Sequence, residues 1–153
     1  MKIIRNLIIA SLPLLGAATG LYAADDMADM PMPGHEHRGS HAPALTEAQE
    51  HFLSGYEAVR AALAADDLDA AKTAAVALTD SPPAASLAKA PSLNAARVAF
   101  KKLSAEAVRL AHGQNGYYVA TCSMVESDWV QTTKGISNPY LGKQQATCGQ
   151  IKN

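Results

Sequence analysis

Large aromatic side chains are scarce in this sequence. It contains one Trp and two Phe, and aromatic residues make up 5% of the chain. A core with so few aromatic residues must be packed mainly by alanine and leucine, and alanine-rich packing favours closely spaced helices. A chain of 153 residues suits one domain and hardly two. We therefore expect a single, mainly α-helical core.

A strong charge of one sign is also missing. The formal net charge is −1, whereas nucleic acids and anionic membranes usually select a basic face. The chain lacks a Gly-x-Ser-x-Gly elbow, a His-Glu-x-x-His motif, a Cys-x-x-Cys-His haem motif and a glycine-rich phosphate loop. These absences predict that the protein does not bind nucleic acid and is not an enzyme.

One clear signal stands at the N-terminus. Lys2 and Arg5 provide a basic start, apolar residues dominate as far as Leu15, and Leu21-Tyr22-Ala23-Ala24 offers small residues for cleavage. A retained membrane anchor is the alternative, but Pro13 interrupts the run, and a span needs about 20 predominantly apolar residues. We expect residues 1–23 to be a signal peptide that exports the protein to the periplasm, leaving no membrane anchor after cleavage.

The next segment, residues 24–44, holds almost nothing that can build a core. Its Pro, Gly, Ser and Asp residues predict a disordered linker. Thioether and imidazole groups are concentrated in it, and these ligands suit Cu(I) and, through histidine, Cu(II). A polar spacer that happens to carry such residues is the alternative. The candidate ligands are Met27, Met30, Met32, His35, His37 and His41.

Residues 45–153 predict a folded domain that opens with two helices. Thr46 and Gln49 form a capping box, and an apolar stripe follows from Phe52 to Leu63, which predicts a helix from about Glu47 to Ala65. Asp66 or Asp67 then caps a shorter helix whose small apolar side chains share one face. Together the two segments predict a helical hairpin.

A proline pair separates this hairpin from a third helix. Ser81-Pro82-Pro83 stops the second helix, and Ala84 to Ala90 has room for at most a short helical turn before the next proline. Ser92 caps a strongly periodic helix that ends at His112 and Gly113. Three amphipathic segments with short connections predict a small antiparallel bundle of three main helices.

The last forty residues predict an irregular or β-hairpin cap on the bundle. Tyr117 to Thr121 is typical of a strand, and Gln145 to Ile151 is a second extended stretch that can pair with it. The loop between them carries Trp129 and Tyr140, which we expect to pack the cap.

Both cysteines lie in or next to these two stretches. If the strands pair, the sulfur atoms of Cys122 and Cys148 are neighbours. A structural disulfide is one interpretation, because an exported protein meets an oxidising compartment. A soft metal site is the other, because Met124 would share a strand face with Cys122 and complete a three-sulfur site for Cu(I) or Ag(I). The spacing alone leaves both interpretations open.

The C-terminal pattern resembles an uncharacterised domain family that occurs free-standing in exported bacterial proteins. The family also occurs fused to the C-terminus of periplasmic adaptors of copper and silver efflux pumps. Ser123 stands where members usually have proline, and Gln145 where they commonly have methionine. The residues that carry the resemblance are Tyr118, Cys122-Ser123-Met124, Trp129, Ile136, Asn138-Pro139-Tyr140, Gly142 and Cys148-Gly149.

The resemblance implies a periplasmic location, a link to heavy-metal resistance and a metal site at Cys122, Met124 and Cys148. We therefore expect a Cu(I)- or Ag(I)-binding protein of copper homeostasis, which sequesters the ion or delivers it to an efflux system. Its expected partner is a periplasmic efflux adaptor or another envelope protein. The alternative is a disulfide-stapled helical interaction module of the envelope, without a functional metal site.

Overall fold

The computed structural model describes residues 42–78 and 80–152. The predicted signal peptide and the six candidate ligands of the linker lie outside the described residues. The described part therefore covers nearly all of the predicted folded domain and the last residues of the linker.

The first two helices pack against each other, and their caps are the predicted ones. Helix α1 spans Glu47–Ala64 and begins in a capping box, in which the Thr46 hydroxyl accepts from the Gln49 N–H and the Gln49 side chain accepts from the Thr46 N–H. Helix α2 spans Leu68–Val76 and is capped by the Asp67 carboxylate. The prediction of a helical pair at this place is confirmed.

A further helix replaces the short turn predicted after the proline pair. Helix α3 spans Pro82–Ala88, and Pro82 and Pro83 lie in its first turn. The first N–H groups of an α-helix have no partner within the helix, so proline is tolerated there. The prediction of three main helices was therefore wrong, because the described residues form four.

Helix α4 spans Leu93–Ala111 and completes the helical core. The Ser92 hydroxyl caps it by accepting from the Ala95 N–H at 3.3 Å. Consecutive helices contact one another, and α4 also contacts α1, so the apolar stripes meet in one cluster. The largest fully buried helical side chains are Leu53, Tyr56, Val59, Leu63, Leu87, Phe100 and Leu103.

A three-stranded antiparallel sheet forms the C-terminal cap. The strands β1 (Tyr118–Cys122), β2 (Ser127–Gln131) and β3 (Gln150–Ile151) lie in the order β2-β1-β3. The predicted pairing of β1 with the C-terminal stretch is confirmed for β3. The placement of Trp129 in a loop was wrong, because it lies in β2 opposite Ala120. The fold is mainly α with a small antiparallel sheet.

Aromatic contacts join the sheet to the helices. The Tyr56 and Phe100 rings stack with their centroids 5.1 Å apart, Tyr140 lies 5.6 Å from Phe100, and Trp129 meets Tyr140 edge-on at 6.2 Å. The Tyr56 hydroxyl also accepts from the Val130 N–H at 3.1 Å, and burial raises the pKa of Tyr56 above its ordinary value. These four aromatic residues therefore lie where the cap meets the bundle.

Candidate metal centre

The three sulfur atoms of the predicted site lie together at one end of the sheet. Cys122 is the last residue of β1, and Cys148 lies just before β3, which pairs with β1. The two Sγ atoms are 2.8 Å apart, and the Cys148 Sγ lies 3.6 Å from the Met124 Sδ. Both cysteines are free. Strand pairing thus joins residues that are 26 positions apart in the sequence.

Met124 reaches the cysteines from a turn, so its predicted place on a strand was wrong. Strand β1 ends at Cys122, and Met124 lies in the turn that leads to β2. In this turn the Val125 N–H donates to the Cys122 carbonyl at 3.3 Å, and Glu126 has a left-handed backbone with φ 45°. The tight turn, and not the two-residue period of a strand, directs the thioether towards Cys148.

The three sulfur-bearing residues differ in their exposure to solvent. Cys122 is 2% exposed, Cys148 is partly buried and Met124 is 63% exposed. Cys122 therefore forms the floor of the site and Cys148 its rim, while the Met124 thioether lies on the solvent side. An ion can approach from the side of Met124 without opening the hydrophobic core.

The sulfur spacing lies between that of a disulfide and that of a metal site. A disulfide bond is about 2.05 Å long, so the two thiols would have to approach by less than about 1 Å. Three sulfur ligands at about 2.3 Å from one metal ion lie about 4 Å from one another, so the thiols would have to separate by about 1 Å. Small side-chain rotations achieve either change, and the geometry accommodates both states.

The electrostatic environment distinguishes the two cysteines. Burial raises the pKa of the Cys122 thiol, but hydrogen bonds with the Cys148 thiol, the Met124 and Val125 backbone and the Asn138 side chain outweigh it, so the pKa lies below its ordinary value. The pKa of Cys148 is raised, first by its hydrogen bond to Cys122 and then by burial. The hydrogen bonds around Cys122 therefore favour a thiolate in this pair, and the thiolate is the form that binds metal.

Asn138 fixes the backbone of the segment that carries Cys148. Its side chain is fully buried, and its Nδ2 donates to the Cys148 carbonyl at 2.8 Å. Its Oδ1 accepts from the N–H groups of Tyr140 at 2.8 Å and Leu141 at 3.1 Å. The Asn138 N–H itself donates to the Ala146 carbonyl at 2.8 Å. The Asn138 side chain thus links the backbone of Tyr140 and Leu141 to the backbone of Cys148.

Gly149 allows the chain beyond Cys148 to lie directly against β1. Its φ is 137°, which side-chain-bearing residues rarely adopt. A Cβ at this position would lie 2.7 Å from the Thr121 carbonyl oxygen and 2.7 Å from the Trp129 ring. Any side chain here would displace the segment, so glycine keeps the second thiol close to the first.

Two arginine side chains attach the loop before Cys148 to the helices. Arg60 of α1 is 7% exposed and donates to the Ser137 carbonyl at 3.0 Å. Arg97 of α4 donates to the Pro139 carbonyl at 2.9 Å and forms an ion pair with Asp66. Neither arginine was predicted from the sequence to have this role. The one feature of the neighbouring sequence that they share is that each arginine directly follows a buried residue in the apolar stripe of its helix.

Gln131 also holds the loop before Cys148, and this role was not predicted from the sequence. It is fully buried, and its Oε1 accepts from the Trp129 Nε1 at 3.0 Å and from the Ser137 N–H at 3.3 Å. Its Nε2 donates to the Thr133 and Gly135 carbonyls at 2.6 and 2.8 Å. A polar residue at the end of a strand gives no sequence signal for such complete burial.

Histidine and carboxylate side chains do not extend the sulfur site in the described residues. Across residues 42–78 and 80–152, no three His, Cys, Asp or Glu side chains are grouped in a way that could hold a metal ion. His51 on α1 and His112 at the end of α4 are exposed. Among the described residues, Met124 is thus the natural third ligand beside the cysteines.

Comparison of the chain with protein-family models, with curated proteins and with solved structures found no match. The family resemblance therefore stays a prediction, and the residue roles given above rest on the contacts alone. In the part of the chain that the structure describes, no helix has the length and apolar character needed to cross a membrane.

Proposed function

We propose that this chain is a periplasmic Cu(I)- or Ag(I)-binding protein of copper homeostasis or heavy-metal resistance. It sequesters the ion or delivers it to an efflux system, and it is a binding protein, not an enzyme. The observation that carries the proposal is the convergence of two thiols and one thioether, with sulfur separations of 2.8 and 3.6 Å, at a site that is open on one side.

The ligand chemistry supports a soft monovalent ion. Thiolate and thioether sulfur select Cu(I) and comparable soft ions. Structural zinc is almost always held by four Cys or His ligands, and the described residues group only two cysteines at this place. A site of two thiols and Met124 therefore suits Cu(I) or Ag(I) better than Zn(II).

The exposure of the ligands supports exchange with a partner. A ligand from another protein can approach the ion from the side of Met124, which is 63% exposed, while Cys122 at the floor of the site still holds it. The proposed partner is a periplasmic efflux adaptor or another envelope protein. The six Met and His residues of the linker would raise the local concentration of the ion near the domain.

An anaerobic competition titration of Cu(I) against a chromophoric chelator tests the proposal. The reduced mature chain is used with the three linker methionines replaced by leucine and the three linker histidines by glutamine, so that only the folded domain can bind. We expect one Cu(I) per chain. Cys122→Ser and Cys148→Ser should abolish tight binding. Met124→Leu should weaken binding by about 10- to 100-fold, because even the loss of a residue that only hydrogen-bonds a metal ligand costs that much affinity.

Ser123→Ala is the matched control, because Ser123 is exposed in the same turn and places no sulfur in the site. It should bind Cu(I) like the parent chain. Unchanged affinity in Cys148→Ser would contradict the sulfur site. Binding by the intact chain but not by the chain with a substituted linker would move the copper to the linker.

The second candidate function is a disulfide-stapled helical interaction module of the envelope. The observation that favours it is the 2.8 Å separation of the two Sγ atoms, which is closer than a bound metal would keep them. Closing a loop between residues 26 positions apart stabilises a domain by about 3 to 4 kcal/mol in the chain-entropy description. The bond would hold the C-terminal strand on the sheet.

Thiol alkylation of protein isolated from the periplasm without reductant separates the two candidates. The stapled module predicts no alkylated cysteine, and it predicts no Cu(I) bound to the reduced domain in the titration above. The metal-binding proposal predicts alkylation at both cysteines of the apo form, and protection of both when Cu(I) is added first.

A further inference from the structure

A cleft of about 750 Å³ opens on the helical part of the domain. It lies among the first turns of α1, residues 77–78 and 80–82, and the last turns of α4, and it shares no residue with the sulfur site. Its volume falls in the range typical of small-ligand sites. Its apolar lining consists of Ala48, Phe52, Ala77, Leu78, Pro82 and Leu110.

The polar lining of the cleft is rich in hydrogen-bond acceptors. It includes the carboxylates of Glu47, Asp80 and Glu106 and the imidazole of His51, whereas Arg109 is its one cationic side chain among the described residues. Three carboxylates against one guanidinium leave two negative charges in excess. Among residues 42–78 and 80–152, none of these four charged side chains forms a salt bridge. The cleft therefore favours a positively charged occupant.

Ser81 gives the cleft a second feature, a buried hydroxyl that can accept a hydrogen bond. It is 7% exposed and lines the cleft, and its buried Oγ has no hydrogen-bond partner among the described residues. It precedes α3 but does not cap that helix with its side chain. A buried hydroxyl without a partner is unfavourable, so a ligand that donates an N–H to Ser81 would remove that cost.

We propose that this cleft binds an organic cation, an ammonium or guanidinium group carried on an apolar body. The cation faces the carboxylates of Glu47 and Glu106 and donates to the Ser81 hydroxyl, while the apolar body packs against Phe52 and Leu110. A metal ion fits less well, because the described acidic and histidine side chains are not grouped as three ligands of one ion. A free amine and a Lys or Arg side chain of a partner share the required chemistry.

An NMR titration of the mature chain with matched probes tests this site. The probes are 2-phenylethylamine, the neutral 2-phenylethanol with the same apolar body, and a Phe-Arg dipeptide amide. We expect saturable amide shifts in the first turns of α1 and the last turns of α4 with the amine, and binding of the alcohol about tenfold weaker, since two exposed ion pairs contribute up to about fivefold each. Tighter binding of the dipeptide than of the amine would assign the site to a partner side chain, and the reverse order to a free amine.

Variants locate the site and control for general surface charge. Glu47→Gln combined with Glu106→Gln should weaken amine binding by about tenfold, whereas Glu50→Gln, exposed on α1 outside the cleft, should leave it unchanged. Ser81→Ala should weaken binding about threefold without lowering the melting temperature, because the hydroxyl has no partner to lose. Equal binding of amine and alcohol, or an equal loss in Glu50→Gln, would overturn the proposal.

Discussion

Gly149→Ala is the substitution that most directly tests how Cys148 is held against β1. Gly149 follows the cysteine with φ 137°, and a Cβ there would lie 2.7 Å from both the Thr121 carbonyl oxygen and the Trp129 ring. Neither neighbour can move easily, because Thr121 contributes backbone of β1 and Trp129 is fully buried. The added methyl group must therefore displace the segment that carries the second thiol.

Two contributions set the expected magnitude. A residue with a side chain at such a φ costs about 1 to 3 kcal/mol, and crowding in a packed region costs about 1 to 3 kcal/mol more. We therefore expect Gly149→Ala to lower the free energy of unfolding by about 2 to 6 kcal/mol. Gly116 has φ 85° with nothing within 4 Å of an added Cβ, so Gly116→Ala should lose only the backbone contribution. Gly135 has neither feature, and Gly135→Ala should change stability by less than about 0.5 kcal/mol.

Equilibrium urea unfolding of the three reduced variants measures these differences, and the Cu(I) competition titration follows the site. Gly149→Ala should bind Cu(I) more weakly than the parent, while Gly116→Ala should bind it equally well. If Gly149→Ala is as stable as Gly135→Ala, the close approach of the chain to β1 is refuted. If Gly149→Ala and Gly116→Ala lose the same stability, the methyl group added at position 149 does not clash with Thr121 or Trp129.

Tyr56→Phe removes a buried hydroxyl that is hydrogen-bonded to the Ser104 Oγ at 2.8 Å and to the Val130 N–H, and should cost about 1 to 3 kcal/mol in urea unfolding. Asp66→Asn should destabilise at neutral pH, because hydrogen bonds from the Lys143 N–H and then from Arg97 hold the pKa of Asp66 below its ordinary value. That stabilisation is present above about pH 4 and is lost as the pH falls through the lower folded pKa, so the difference between parent and variant should shrink as the pH falls below about 4 in the same assay. Gln145→Met adds a thioether three residues before Cys148 and should tighten Cu(I) binding by about tenfold in chelator competition; unchanged affinity would place that position outside the site.

The helices could be predicted because their signals are local. The caps at Thr46 and Ser92 and the apolar stripes behind them depend only on neighbouring residues, and the structure confirms both helix starts. The proline pair misled the prediction because Pro82 can end one helix and also begin the next. Strand β2 was missed because its last residue, Gln131, is polar yet fully buried, which conceals the strand pattern.

The candidate site was predictable only in its ligands. Pairing of the two cysteine-bearing segments follows from strand character, but the direction of Met124 depends on a turn whose geometry the sequence does not reveal. The contacts that hold the loop before Cys148 join residues far apart in the chain. Arg60 and Ser137, for example, are separated by 77 positions, and no local pattern marks such a pair.

The C-terminal residues have two roles: some hold the backbone around Cys148 in place, and we call these the frame, while others are the candidate ligands. Asn138, Gly149 and Trp129 hold the chain around Cys148 against β1. Ser123 and Gln145, the two departures from the resembled pattern, are exposed, so changes there alter the surroundings of the sulfur atoms and leave the frame intact. The frame brings two thiols together, which serves a disulfide and a metal site equally well.

Met124 is the residue that separates the two functions. A disulfide makes no use of a thioether 3.6 Å from one of its sulfur atoms, and a side chain that is 63% exposed adds little to packing. Met124→Leu should therefore leave the stability of the reduced domain within about 0.5 kcal/mol of the parent. A loss of Cu(I) affinity at unchanged stability would tie the thioether to the metal, whereas unchanged affinity would show that the two thiols bind Cu(I) without it.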